Sequence, residues 1–372
     1  MTTTSARPTS VQPDAANPQR PAQRMQGLVK HHAGEGLRMQ ERAVPEPGPR
    51  EVLIKVKLAG ICGTDKHIWQ WDEWAAGRIP VGIVTGHEFV GVVEKVGSAV
   101  RRVEPGRRVS AEGHITDGSD YNARTGAAHI ATDTKILGID RDGCFAEYVC
   151  VPEENVWPVH ADVPDRFAAA FDPLGNAVHT VMEAGVSAKS VLITGVGIIG
   201  LMAVTVAKAA GAARIYVTDV NEQRLELAKR LGATAAYDAR DPGWVKDLKD
   251  DCWRRKRTDG VDVLLEISGA EPAIDQGFRA LRSGGTAALL GLPSRPITFN
   301  LNEHVIFKGA KVLGINGRKM FETWYQTEEL LLSGRLELDE IVTHTFPMSK
   351  YEEAFDTMLS GRGIKVLMEA GA

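Results

Sequence analysis

Apolar residues in the first part of the chain come in short runs broken by Gly, Pro and Asn. This pattern predicts strands over 25–30, 51–58, 89–96 and 145–151. The pattern changes near residue 190. The apolar run 191–194 leads through a glycine turn into a helical stretch ending at Ala210, then 215–219 reads as a strand and 221–231 as a helix. Runs at 261–267 and 286–290 continue the alternation. Strand and helix in turn predict a parallel sheet with covering helices. Near the end, 320–333 reads as a helix that Gly334 stops, followed by strand 343–347, helix 349–359 and strand 365–368. The expected fold class is therefore α/β. A Rossmann doubly wound parallel sheet is placed at 173–316, a β-rich catalytic domain at 25–172, and a return to the catalytic domain at 317–372.

Composition narrows the setting. A chain of 372 residues exceeds one compact core, in keeping with two domains. With 43% hydrophobic and 25% charged residues it reads as soluble and globular. A net charge of −4 offers no basic excess to neutralise phosphates, so no nucleic-acid partner is expected. No apolar run is long enough for a membrane span. Residues 1–24 are rich in Thr, Ser, Pro, Gln and Ala without the apolar centre of a signal peptide. Such a stretch cannot bury enough surface to offset its ordering entropy, and a disordered N-terminal extension is expected. Cys62, Cys144, Cys150 and Cys252 are scattered and form no disulfide framework, which suits a cytoplasmic setting.

The first chemical motif is Gly195-Val-Gly197-Ile198-Ile199-Gly200, between a predicted strand and a predicted helix. The first glycine permits a tight turn, the second lets a pyrophosphate approach the backbone, and the third allows close helix–strand packing. The helix N-terminus presents free N–H groups to the phosphate charge. Asp219 ends the next strand, 19 residues after Gly200, where an acid accepts hydrogen bonds from ribose hydroxyls. A carboxylate there repels a 2′-phosphate, so NAD is expected over NADP. Arg224 is the nearby charge that would favour the opposite.

The second motif carries ligands for a metal. Cys62, Thr64 and His67 lie within six residues, and Gly86-His87-Glu88-x-x-Gly91 follows. Thiolate and imidazole are preferred zinc ligands, and a catalytic zinc site keeps one position open. Cys62 and His87 are the first two candidate ligands.

Together these motifs resemble the zinc-dependent medium-chain dehydrogenases, over essentially all of 25–372. The resemblance implies that the β-rich domain is GroES-like and that the reaction is NAD-dependent oxidation of a secondary alcohol. It also implies a third zinc ligand from the segment before the cofactor domain. That segment is Phe171-Asp-Pro-Leu-Gly-Asn176, where Asp172 is the ionised side chain. Glu88 is expected as an alternating ligand or a group just behind the ligands. Thr64 would receive the hydroxyl proton and pass it through the nicotinamide ribose to His67 at the surface. Association as a dimer or tetramer is implied on the same basis.

Further segments are similar to one branch, the L-threonine 3-dehydrogenases: the WDEW run at 71–74, Glu112-Gly-His114-Ile-Thr116, FDPLGNAVHT at 171–180 and GRKMFETWY at 317–325. The branch implies a substrate-side role for His114, Arg318 as a candidate for the substrate carboxylate, and 2-amino-3-oxobutanoate as product. The WDEW aromatics read equally as subunit contacts or core. Two departures stand out. Relatives hold a structural zinc with four cysteines, but the aligned residues here are Asp117, Asp120, Ala123 and Ala131. One catalytic zinc and no structural zinc are expected, since alanines cannot bind metal. Asn316 stands where relatives mostly carry an aromatic residue. This leaves room for a polyol or vicinal-diol dehydrogenase as the alternative.

Overall fold

The computed structural model describes residues 23–371. Most of the expected N-terminal extension thus lies outside the described residues. Arg24 at its end instead starts strand β1 (Arg24–Val29), which pairs antiparallel with β2 (Arg38–Ala43) through Arg24 opposite Ala43.

The first domain is built on β3 (Glu51–Gly60) and β4 (Glu88–Val96). Helices α1 (Gly63–Gln70) and α2 (Glu73–Arg78) connect them. Then come β5 (Arg108–Ala111) and a lobe bracketed by the antiparallel pair β6 (His114–Ile115) and β7 (Lys135–Ile136), with α3 (Tyr121–Arg124) inside it. β8 (Tyr148–Pro152), β9 (Val156–Pro158), α4 (Asp165–Ala168) and α5 (Phe171–Ala184) lead to the second domain.

That domain alternates strand and helix. It comprises β10 (Ser190–Thr194), α6 (Ile198–Ala209), β11 (Arg214–Asp219), α7 (Glu222–Leu231) and β12 (Ala235–Asp238). It continues with α8 (Trp244–Lys256), β13 (Val261–Glu266), α9 (Glu271–Ala280), β14 (Leu281–Leu289) and β15 (Lys311–Gly314). The strands form one parallel sheet in the order β12-β11-β10-β13-β14-β15. The order reverses beside β10, the switch point where doubly wound sheets bind ligands. Val191, Ile193, Val204 and Val206 are fully buried, so both strand and helix contribute to one core, about 1.5–3 kcal/mol for each large side chain removed from water.

The tail carries α10 (Glu322–Leu332), β16 (Val342–Pro347), α11 (Tyr351–Leu359) and β17 (Lys365–Glu369). It rejoins the first sheet, whose order is β16-β17-β3-β4-β5-β9, with β8 also on β3. Register brings Leu367 opposite Gly60, and Gly60 opposite Glu88. Gly60 is required there, because an added Cβ would lie 2.7 Å from Glu88 Oε2 and 2.8 Å from Lys365 Nζ.

Candidate active site

Cys62 sits between β3 and α1, and its N–H donates to Asp65 Oδ2 at 2.9 Å. His87 and Glu88 lie at the start of β4. One donor atom each from Cys62, His87 and Glu88 lies within 4.8 Å of the others. His87 Nδ1, Glu88 Oε1 and Asp65 Oδ1 are buried without a hydrogen-bond partner. Burial pushes the Cys62 thiol up, and the Glu88 carboxylate adds to it. Burial likewise raises Glu88. For His87 burial works downward, but the Cys62 thiol and the Asp65 and Asp172 carboxylates outweigh it, and the imidazole is pushed up to about 10. A crowded set of anionic and orphaned donors, including a thiol and an imidazole, fits a zinc ion.

Two buried ion pairs flank this group, and sequence reading missed both. Lys365 Nζ pairs with Glu88 Oε2 with neither side chain exposed, and it also donates to Ile61 O at 2.9 Å. Asp172 stands outside the Cys62 group. Its Oδ2 lies 2.6 Å from Arg318 Nη1. Of the four expected metal residues, the structure brings together Cys62, His87 and Glu88, the last expected as an alternating ligand or a group behind the ligands, and sets Asp172 against Arg318. Arg318 itself lies buried between two carboxylates. It is 2% exposed and its guanidinium is shared by Asp172 and Glu112. A cation already neutralised by two carboxylates is not free to bind a substrate carboxylate.

His114 follows Glu112 at the edge of the lobe. Its Nδ1 lies 2.9 Å from Glu112 Oε1, and its side chain is 18% exposed. Gly113 brings this segment against the Cys62–His87–Glu88 group, since a Cβ there would lie 3.7 Å from that of His87.

The glycine turn opens onto a cavity of about 350 Å³. Gly197 has nothing within 4 Å of an added Cβ, so its backbone is open to a ligand. Gly195 takes φ +83°, and a Cβ on Gly200 would lie 2.0 Å from Gly195 O. Ile198, Ile199, Asp219 and Arg224 also line this cavity, and so do Cys62, Glu88 and Lys365. Asp219 Oδ2 accepts from Val196 N at 2.8 Å, which ties the acid to the turn itself. A larger concavity of about 670 Å³ lies against the β1–β2 hairpin, away from these residues.

Thr64 Oγ1 lies 3.8 Å from Cys62 Sγ, at the start of α1. One turn on, the side chain of His67 is 52% exposed, and its Nδ1 lies 2.5 Å from Asp72 Oδ2. Thr64 is half-buried and His67 exposed, on the same side of the helix one turn apart. The aromatics after them mostly serve packing. Trp69 stacks on Phe355 at 4.5 Å, and Lys30 Nζ lies 4.6 Å over Trp71. Trp74 is exposed and meets His67 edge-on at 6.1 Å.

In the lobe, carboxylates bind backbone amides. Asp120 accepts from Ala123 N at 2.7 Å and Thr132 N at 2.9 Å. Asp133 accepts from Thr116 Oγ1 at 2.6 Å and Asp117 N at 2.7 Å. Ala123 and Ala131 offer no donor side chain.

Comparison with known proteins agrees with this architecture. Residues 48–161 match the alcohol dehydrogenase GroES-like domain, and residues 199–333 match the zinc-binding dehydrogenase family. The chain is 45% identical over 350 residues to an L-threonine 3-dehydrogenase of Deinococcus deserti, covering 93% of this chain and 99% of that one. It is 44% identical to the L-threonine 3-dehydrogenase of Bacillus subtilis, with 93% and 98% covered. Among solved structures, the 2R,3R-butanediol dehydrogenase of Bacillus subtilis matches with a TM-score of 0.83 at 27% identity, covering 93% of this chain and 100% of that one. An Escherichia coli alcohol dehydrogenase complexed with NADH matches with a TM-score of 0.84 at 25% identity, covering 93% and 99%. With a GroES-like domain, a dinucleotide turn and a zinc-type donor group in one cleft, this chain belongs to the zinc-dependent medium-chain dehydrogenase family.

Proposed function

We propose that the chain oxidises the 3-hydroxyl of L-threonine, or of a closely related β-hydroxy-α-amino acid, using NAD and one catalytic zinc. The observation that carries this reading is the shared cavity. The cavity that Gly195, Gly197 and Gly200 would offer a dinucleotide is lined also by Cys62 and Glu88. The relatives named L-threonine 3-dehydrogenase, similar along nearly the whole chain, support the choice of substrate.

Cys62, His87 and a carboxylate, Glu88 in the present grouping, would hold the zinc. When bound, the two cofactors supply Lewis acidity toward the substrate hydroxyl and an acceptor for hydride. The chain's own residues do the rest. Thr64 Oγ1 takes the hydroxyl proton at the start of α1, and His67 releases it to solvent with its ring held by Asp72. Lys365 balances the charge of Glu88. His114, next to Gly113 and the His87 backbone, would contact the substrate. Asp219 on the cavity wall favours NAD over NADP.

The lobe carries no structural zinc, because its carboxylates are occupied with amides. Free cysteines throughout suit a reducing cytoplasm. Among the described residues no helix is long and apolar enough to cross a membrane. Self-association as a dimer or tetramer uses the edge strand β15, beside which Leu292, Ile306, Phe307 and Val312 are exposed. Sedimentation at micromolar concentration would detect it.

One observation favours the diol alternative. Arg318 is engaged by two carboxylates, so it does not supply the cation an amino-acid substrate calls for. The deciding experiment is a panel of L-threonine, sorbitol and 2,3-butanediol with NAD and excess zinc, followed by NADH absorbance. L-threonine should give the highest kcat/KM. A diol outperforming it by tenfold or more would overturn the amino-acid reading.

A further inference from the structure

Glu266 ends β13, is 1% exposed, and has no part in the mechanism above. The two residues after it, Ile267 and Ser268, line the same cavity as the glycine turn. Its Oε1 accepts from Ser268 N at 3.0 Å, Gly269 N at 3.1 Å and Thr194 Oγ1 at 3.3 Å, and also from Ser268 Oγ. Its Oε2 lies 3.3 Å from Gly269 N. These partners are amides and hydroxyls, with no cation among them. A buried carboxylate is costly unless it is hydrogen-bonded, and this one spends its bonds on the edge of the cavity. Burial pushes the carboxyl up, and the bonds from Ser268, Gly269 and Thr194 oppose the rise.

The place of this carboxylate in the sheet gives it a use. β10 lies between β11 and β13, and register sets Thr194 opposite Thr218 on one side and Glu266 on the other. The glycine turn that follows Thr194 is thus supported from two flanks. On the β11 flank, Asp219 accepts from Val196 N at 2.8 Å. On the β13 flank, Ser268 packs against Gly195, where an added Cβ would lie 2.7 Å from Ser268 Cβ. Glu266 also reaches the next strand end, since its carbonyl accepts from Leu290 N at 2.9 Å and Gly291 N at 3.0 Å. A dinucleotide spans the crevice where the strand order reverses, with the ribose of its adenosine half at the acid of the second strand. Here that acid is Asp219, and by the same rule the other half belongs on the β13 side.

We propose that Glu266 is a positioning residue for the cofactor: it holds Ser268 and Gly269 as the cavity wall for the nicotinamide half of the dinucleotide, while Asp219 serves the adenosine half. The proposal rests on the dinucleotide reading of the cavity. It requires no contact between Glu266 and the ligand. Without the carboxylate, the amides and hydroxyls at this edge lose their common acceptor, and the turn 267–269 is no longer held in one conformation.

Equilibrium binding tests this without turnover. Calorimetry on the zinc-loaded protein gives dissociation constants for NAD and for adenosine monophosphate, which carries only the Asp219 half. Glu266→Ala should weaken NAD roughly tenfold or more, the scale of a lost hydrogen bond to a charged group. Adenosine monophosphate should weaken less than about twofold, because its half is held by the other flank. Glu266→Gln keeps one acceptor oxygen, so its NAD affinity should fall between those of the parent and Glu266→Ala. It carries the test by itself if Glu266→Ala does not fold. Equal weakening of both ligands, or unchanged affinity for NAD, would make Glu266 a plain brace of the strand ends and overturn the assignment. A parent that binds neither nucleotide fails the dinucleotide reading first, and this proposal falls with it.

Discussion

Asp72 starts one helix and holds the end of another: its Oδ1 accepts from Ala75 N at 3.0 Å, while its Oδ2 lies 2.5 Å from Nδ1 of His67. A capping residue of α2 therefore also orients the imidazole at the end of α1. The ring is kept beside solvent and cannot swing freely, which is what a terminal proton carrier needs.

His67→Ala should spare zinc and NAD binding and lower turnover most near neutral pH. A positioned base contributes typically about 10²–10⁴-fold, and water or hydroxide takes over as pH rises. A pH–rate profile beside the parent, with zinc quantified in both, checks this. Loss of zinc, or a defect that stays constant up to high pH, would remove His67 from the relay.

Cys62→Ser should behave differently, because Cys62 belongs to the donor group itself. Zinc content should fall, with activity lost at every pH. The loss should exceed the roughly 10–100-fold typical of a group behind the ligands. The parent should hold one zinc per subunit after dialysis. Metal analysis giving two would revive a structural site in the lobe.

Asp219→Ala should narrow the preference for NAD over NADP by roughly tenfold, the scale of one charged hydrogen bond. Because Asp219 also accepts from Val196 N, affinity for NAD itself should fall as well. Dissociation constants for both dinucleotides, measured by fluorescence quenching, decide it. Unchanged discrimination would mean that Arg224 sets the choice.

The lobe should resist chelators and yield to acid. Hydrogen bonds from Ala123 N and Thr132 N depress Asp120, and those from Thr116 and Asp117 depress Asp133. A depressed carboxylate gives stabilisation that is complete above its unfolded pKa, about 3.9, and is lost as pH falls through the lower folded value. At neutral pH, Asp120→Ala should speed proteolytic cleavage within 116–140, and EDTA should not. Faster cleavage with EDTA would show that a metal holds the lobe.

Much of this protein was legible in its residues alone. The glycine turn, Asp219 and the pair Cys62 and His87 are local patterns whose chemistry needs those residue types at those spacings. The missing lobe thiols were equally plain. Strand and helix followed from periodicity, since a buried stripe recurs at fixed intervals. The tertiary structure decided which charges meet. Arg318 reaches Glu112 across 206 residues and Lys365 reaches Glu88 across 277, and no periodicity spans such distances. A lysine beginning the strand KVLME reads as a surface residue until β17 is laid against β3. The resemblance offered Arg318 to a substrate carboxylate, and only the fold shows two carboxylates already around it. A buried charge is stable only beside its partner, and only the folded chain supplies that partner.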